Sequence, residues 1–210
     1  MKRFSNILVA LGVTVFLLTV GMKSEAEAQC PPGSSSIATT FTVKGCVFDV
    51  ILCWKCGVTS APLEFAITSC EPKTTCSPAV SRDEAIDSIT KELLTPVWFY
   101  FFCSSLDIPP CSTQTYETIR VIRYNCVKKF TPSFVPPNPQ APTRIEVCNF
   151  DSYCYQDYEA CMISLGNMQL TPLGWKQYGT PDCLPMDTPD DPDPGTSSDC
   201  WLINPGCIYE

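Results

Sequence analysis

The alternation of apolar and polar positions is clearest between Ile37 and Trp54, where IATTFTV runs through Lys44-Gly45 into CVFDVILCW. Side chains alternate between faces along a strand. A two-residue Lys44-Gly45 loop therefore pairs Val43 with Cys46, Phe41 with Phe48, Thr39 with Val50 and Ile37 with Leu52 on one apolar face. The other face pairs Thr42 with Val47 and Thr40 with Asp49 and is more polar, as expected of a hairpin lying on a core. From Pro62 to Cys70, Leu63, Phe65 and Ile67 alternate with Glu64, Ala66 and Thr68, which predicts a further strand.

The period then changes. Ser81-Arg82-Asp83-Glu84 has the spacing of a capping box, and Ile86, Ile89 and Leu93 follow at helical spacing, so one short helix is expected at about 82–94. Pro96 marks its stop. The unbroken apolar run Val97 to Cys103 is expected as a strand buried on both faces, and the β-branched and aromatic run Thr118 to Phe130 as another strand. Arg144 to Cys148 predicts a short strand. Tyr153 to Tyr178 predicts a second hairpin about Gly166-Asn167, with Leu165 opposite Met168, Ile163 opposite Leu170, Tyr158 opposite Trp175 and Tyr155 opposite Tyr178. A helix over 152–163 is the competing reading, because Cys154 and Cys161 lie seven apart; the aromatic and turn content favours the hairpin.

These elements give a mostly β fold of antiparallel hairpins with one short helix. The expected organisation is a signal peptide at 1–28, a β region with one helix at 29–130, a proline-dense connection at 131–142, a hairpin region at 143–180 and an acidic Pro/Asp-rich segment at 181–210, closed by Cys200 and Cys207. Residues 181–199 read as a solvated, extended segment, and Cys200 and Cys207 as tying the C-terminus to each other or to the body.

The N-terminus predicts export. Lys2 and Arg3 precede an uncharged, mostly apolar run from Ile7 to Val20, and Ala26-Glu27-Ala28 supplies an A-x-A cleavage site. The run falls short of the ~20 residues a membrane-spanning helix needs. Gln29 before Cys30 argues against a lipid anchor, which requires a small residue there. All 15 cysteines lie beyond the cleavage site, a density that indicates a disulfide framework in an oxidising, extracellular or periplasmic compartment. The odd count leaves one thiol free or available for an intermolecular bridge.

Charge narrows the partners. The formal net charge is −8. Residues 29–142 carry equal numbers of basic and acidic side chains, whereas 143–210 hold Arg144 and Lys176 against a large acidic excess. With no basic stripe, nucleic acid is not an expected partner. A protein or a glycan is.

Candidate chemistry is sparse. The absence of histidine removes Ser-His-Asp and Cys-His catalysis and histidine-ligated metals. The carboxylates Asp49, Glu64, Glu117, Glu146, Asp157 and Glu159 are scattered rather than paired. Cys53-Trp54-Lys55-Cys56 could serve as a thiol–disulfide oxidoreductase motif. However, Cys53 ends a strand, and the following GVTSAP is a poor helix start, so two structural cysteines in different bridges are expected. No second C-x-x-C completes a zinc site. Asp190, Asp191, Asp193 and Asp199 are interrupted by prolines and lack the closing glutamate of a calcium loop. Tyr153, Tyr155, Tyr158, Trp175 and Tyr178 could form a platform for sugars or a partner, or pack as ordinary cross-strand pairs. No catalytic, cofactor-binding or metal residue is assigned, and the expected role is a non-catalytic, disulfide-stabilised binding or structural protein. N-terminal sequencing of the exported protein should begin at Gln29; an intact Met1 on soluble cytoplasmic protein would remove the compartment argument.

Overall fold

The computed structural model describes residues 30–57, 61–73, 79–104, 106–133, 143–204 and 207. The expected signal peptide and most of the 131–142 connection lie outside them. Two sheets and two α-helices make up the described chain. The first sheet runs β1 (Ser35–Val43), β2 (Cys46–Lys55), β3 (Leu63–Pro72), β4 (Glu117–Tyr124), β7 (Tyr153–Ser164), β8 (Asn167–Tyr178) in that spatial order. The second is built on β5 (Cys126–Thr131), which pairs with β6 (Arg144–Val147), β10 (Thr196–Ser197) and β11 (Trp201–Leu202); β11 also pairs with β9 (Leu184–Pro185).

The first hairpin has the register expected from its pattern, with Phe41 opposite Phe48 and Ile37 opposite Leu52. Lys44 and Gly45 both take positive φ (49° and 81°). Turns of that hand match the twist of the flanking strands. Between β2 and β3 the register shifts at Ile51/Leu52, and Thr68 is the extra residue, its hydroxyl donating to the Ile51 carbonyl at 3.4 Å.

The sheets are mixed rather than wholly antiparallel, since β3 and β4 are parallel. Parallel neighbours need a long crossover. Here it contains α1 (Arg82–Leu93) and α2 (Pro96–Phe102). Helix α1 begins as its capping box predicts, with the Glu84 amide donating to the Ser81 hydroxyl. Helix α2 replaces the strand expected at 97–103. Its apolar run has no period to distinguish the two, and the deciding signal is Pro96, which sits in the first helical turn, where its missing N–H costs nothing. Phe99 and Phe102 point inward, whereas Val97, Tyr100 and Phe101 are exposed.

Both helices cover one face of the first sheet. Phe48, Val50, Leu52, Leu63, Phe65, Ile119 and Val121 from the strands pack there against Ile86, Ile89, Leu93, Phe99 and Phe102. The second hairpin forms, but its turn is Leu165-Gly166, with Gly166 at φ 78° and Ser164 opposite Asn167. Bulges near Met162 and Gln156 shift the register by one residue and then restore it, so the turn itself sets Tyr153 opposite Tyr178, Tyr155 opposite Lys176 and Gln156 opposite Trp175. The single strand expected at 118–130 is broken at Asn125, which is fully buried, and its halves enter different sheets.

Six disulfides are described: Cys30–Cys53, Cys56–Cys103, Cys111–Cys161, Cys126–Cys183, Cys148–Cys200 and Cys154–Cys207. Cys46 is disulfide-bonded as well. Each bridge contributes about 2–4 kcal/mol, mainly by restricting the unfolded chain. The last three fasten the acidic segment to the body. Its side chains are mostly exposed, as expected, but its backbone is paired rather than free: the Gly195 amide donates to Thr131 and the Ser198 amide to Lys129.

Among the described residues the free cysteine is Cys70, and it is buried. Burial pushes its thiol up to about 12. It is therefore not presented for the intermolecular bridge that the odd count allows. No helix of the described chain is long and apolar enough to cross a membrane. Phe48 is 1% exposed at the centre of the core, so Phe48→Ala should cost about 3–5 kcal/mol, read as a lowered urea midpoint. A negligible change would rule out this packing.

Candidate binding groove

The face of the first sheet turned away from the helices is only partly covered. Cross-strand pairing lines up Glu64 (β3), Arg120 (β4) and Asp157 (β7) in one row, and Tyr124, Tyr153 and Tyr178 in another. Between the two rows lie Ala66, Ile122 and Tyr155.

Arg120 is the polar centre. Its Nε donates to Asp157 Oδ1 at 2.7 Å and its Nη2 to Oδ2 at 3.1 Å, while Nη1 donates to Glu64 Oε1 at 3.2 Å. The Tyr155 ring lies 4.3 Å from the guanidinium carbon, within cation–π range. The hydrogen bonds to Asp157 lead in holding Arg120 above its ordinary pKa. Both carboxylates are committed to this one cation.

The second row is aromatic. Tyr153 and Tyr178 stack with centroids 4.9 Å apart and planes at 20°, and Tyr124 meets Tyr153 and Phe150 edge to face at 5.9 and 5.2 Å. Tyr178 stays 55% exposed, leaving ring surface open to solvent. Burial, foremost, raises the pKa of both Tyr124 and Tyr153. Both phenols are therefore protonated O–H donors at neutral pH.

A wall comes from far away in the chain. Cys30–Cys53 holds the N-terminal segment against the end of β2, bringing Pro31, Pro32 and Ser34 to the rim opposite Tyr178 and Asp151. Lys55 and Glu64 complete a groove of about 250 Å³.

A second cleft, of about 450 Å³, lies beside α1 over Phe65, Ile67 and Val121. Its polar rim is partly satisfied internally, since Arg123 pairs with Asp87 and lies 5.4 Å from the Trp175 ring.

The five aromatics expected as a platform thus divide. Tyr153, Tyr155 and Tyr178 share the groove face, whereas Tyr158 and Trp175 pack against the main core. Of the scattered carboxylates, Glu64 and Asp157 are brought together by Arg120. Asp49 pairs with Lys73 at 3.2 Å and Glu146 with Arg144 at 2.9 Å. Burial and the neighbouring Asp107 raise the Glu117 carboxyl. Glu159 faces Thr118 across the strands.

Cys53 and Cys56 sit in different bridges, with Cys30 and Cys103, so the C-x-x-C spacing does not form a dithiol pair. In the acidic segment, Asp191 accepts from Lys129 Nζ at 2.7 Å. That hydrogen bond leads in lowering its pKa. The one cluster of metal-ligand type among the described residues is Cys126, Asp182 and Cys183, and its two sulfurs are bonded to each other.

Sequence pattern missed Arg120 and Tyr124 as members of one sheet face, and Tyr124, Phe150 and Lys55 as members of one groove. The alternation Arg120, Ile122, Tyr124 against Ile119 and Val121 was the signal for the first two. Phe150 and Lys55 arrive through tertiary pairing alone.

No family model, curated protein or solved structure matches this chain. The groove therefore has to be read from its own chemistry.

Arg120→Ala should lower stability by about 3 kcal/mol, because Asp157 would stay largely buried without its partner. Arg120→Lys should fall between, keeping the charge but losing the fork. Equal urea midpoints for all three proteins would show that the ladder contributes nothing.

Proposed function

We propose that this chain is exported and acts, without catalysis, as a disulfide-stabilised binding protein whose ligand lies in the tyrosine-lined groove. The observation that carries this reading is the groove's construction. Its floor is Ala66 and Ile122 beside Glu64, which a satisfied ion-pair row holds in place, its side a stacked tyrosine pair, and its far wall a segment held by a disulfide. A site whose walls are already fixed loses little freedom when it binds. Aromatic rings beside fixed polar groups are the usual composition of a recognition surface.

The disulfides fit an oxidising compartment, which supports export. The oxidoreductase reading gains no support, because Cys53 and Cys56 each have a separate distant partner.

The mature protein, fluorescently labelled at its N-terminus, should be retained on the surface or extracellular matrix of the cells that make it. The double variant Tyr153→Ala/Tyr178→Ala should be retained at least about tenfold less, a loss of ~1.4 kcal/mol, while keeping its disulfides and circular dichroism spectrum. Equal retention of a folded double variant would reject the groove as the binding site.

A further inference from the structure

We infer that the groove takes a neutral oligosaccharide, with a pyranose ring lying on the exposed surface of the Tyr153–Tyr178 stack; this rests on the groove being the binding site. Each competing ligand class meets a specific obstacle. A polyanion is repelled by a chain of net charge −8 whose acidic excess lies in the segment that supplies Tyr153, Asp151 and Tyr178. Arg120, beside the groove on the same sheet face, cannot offset this, because Asp157 and Glu64 already take it up. A cationic ligand meets Lys55 on the rim, and of the two lining carboxylates Glu64 is already paired with Arg120.

A peptide binding by strand addition needs an unpaired sheet edge. The free edges of this sheet are β1 and β8, whereas the strands beneath the groove, β3, β4 and β7, are each bonded to a neighbour on both sides. A peptide added at β8 would therefore run beside the groove and not in it. A lipid tail needs an aliphatic lining, whereas tyrosines, Lys55, Glu64, Asp151 and Ser34 dominate here.

A sugar meets no such obstacle. Its C–H face complements the negative face of an aromatic ring. Its hydroxyls both donate and accept, which suits a rim offering Lys55 as donor, Asp151 as acceptor and protonated tyrosine hydroxyls as either. The volume is at the small end of ligand pockets, consistent with one or two rings and a chain running out to solvent. Affinity should be weak, on the order of 100 μM.

The test is an NMR titration of the mature, oxidised protein labelled with ¹⁵N at its tyrosines. The probes are soluble hexasaccharides of glucose, N-acetylglucosamine, mannose and galactose. A heparin hexasaccharide and hexalysine serve as charged controls. At least one neutral series should shift Tyr124, Tyr153 and Tyr178 saturably while leaving Tyr100 and Tyr116, exposed elsewhere, unmoved. Tyr178→Ala should weaken that binding at least about tenfold, and Tyr178→Trp should restore it. Tyr178 is exposed, so neither variant threatens folding.

The inference fails if no neutral series shifts these residues, if only heparin or hexalysine does, or if the shifts survive Tyr178→Ala. Cell-surface retention then tells the two readings apart. Retention still lost in the double tyrosine variant leaves a groove that binds another class of ligand. Unchanged retention removes the groove as well.

Discussion

Arg120 stands where the two halves of the main sheet meet. On one side is β3, the last strand of the N-terminal meander, and on the other β7, the first strand of the C-terminal hairpin. An unpaired cation in the middle of a sheet face would be costly. The planar fork offers donors in both directions, so one guanidinium satisfies a carboxylate on each neighbouring strand. The same junction dictates the layering. Because β3 and β4 are parallel, the chain must return along the sheet between them. That return carries α1 and α2 onto one face, which becomes the dry core, and leaves the Arg120 face without helices.

The second sheet depends on covalent help to a greater degree. Three of its strands, β9, β10 and β11, are two residues long, too short to hold together by pairing alone. Trp201, 2% exposed, is their main apolar anchor. Cys126–Cys183, Cys148–Cys200 and Cys154–Cys207 close loops of 57, 52 and 53 residues across this region. Loops of that length remove substantial freedom from the unfolded chain. Hydrophobic burial organises the first sheet and cross-linking the second, and β5 joins them because Asn125 turns the chain out of β4 at a buried position.

The elements legible in the sequence were those with a period and a terminus. Phe41 opposite Phe48 follows from alternation plus a turn whose second residue is glycine. The second hairpin obeys the same rule with Gly166 as the second turn residue, not the first; that difference alone displaces the aromatic pairs, because the two bulges offset each other. The platform was misassembled for that reason: Tyr153 was legible as an aromatic on the hairpin, but its partner is Tyr178. Helix α2 was illegible from its apolar run, because a segment apolar at every position has no period. The sheet face that carries the groove was half legible. Parity within β4 and β7 places Arg120, Tyr124, Tyr153 and Asp157, whereas Phe150 and the Pro31–Ser34 wall depend on contacts distant in sequence.

The open face is bounded, and its boundaries give it its character. Val147 and Phe150 cover Ile122 and Tyr124 from one side, and Pro31 and Pro32 stand on the other. Neither flank closes over Tyr178. The rings there are already stacked on each other, Tyr153 held in β7 against Tyr124 and Tyr178 on the edge strand β8, so the outer ring face is fixed before any ligand arrives. Proline restricts the wall, and the Cys30–Cys53 bridge fixes where it stands. Much of the entropy of building this surface is therefore lost on folding and oxidation rather than on binding. That division suits a ligand that contributes weak individual contacts, since few of them need be spent on ordering the site.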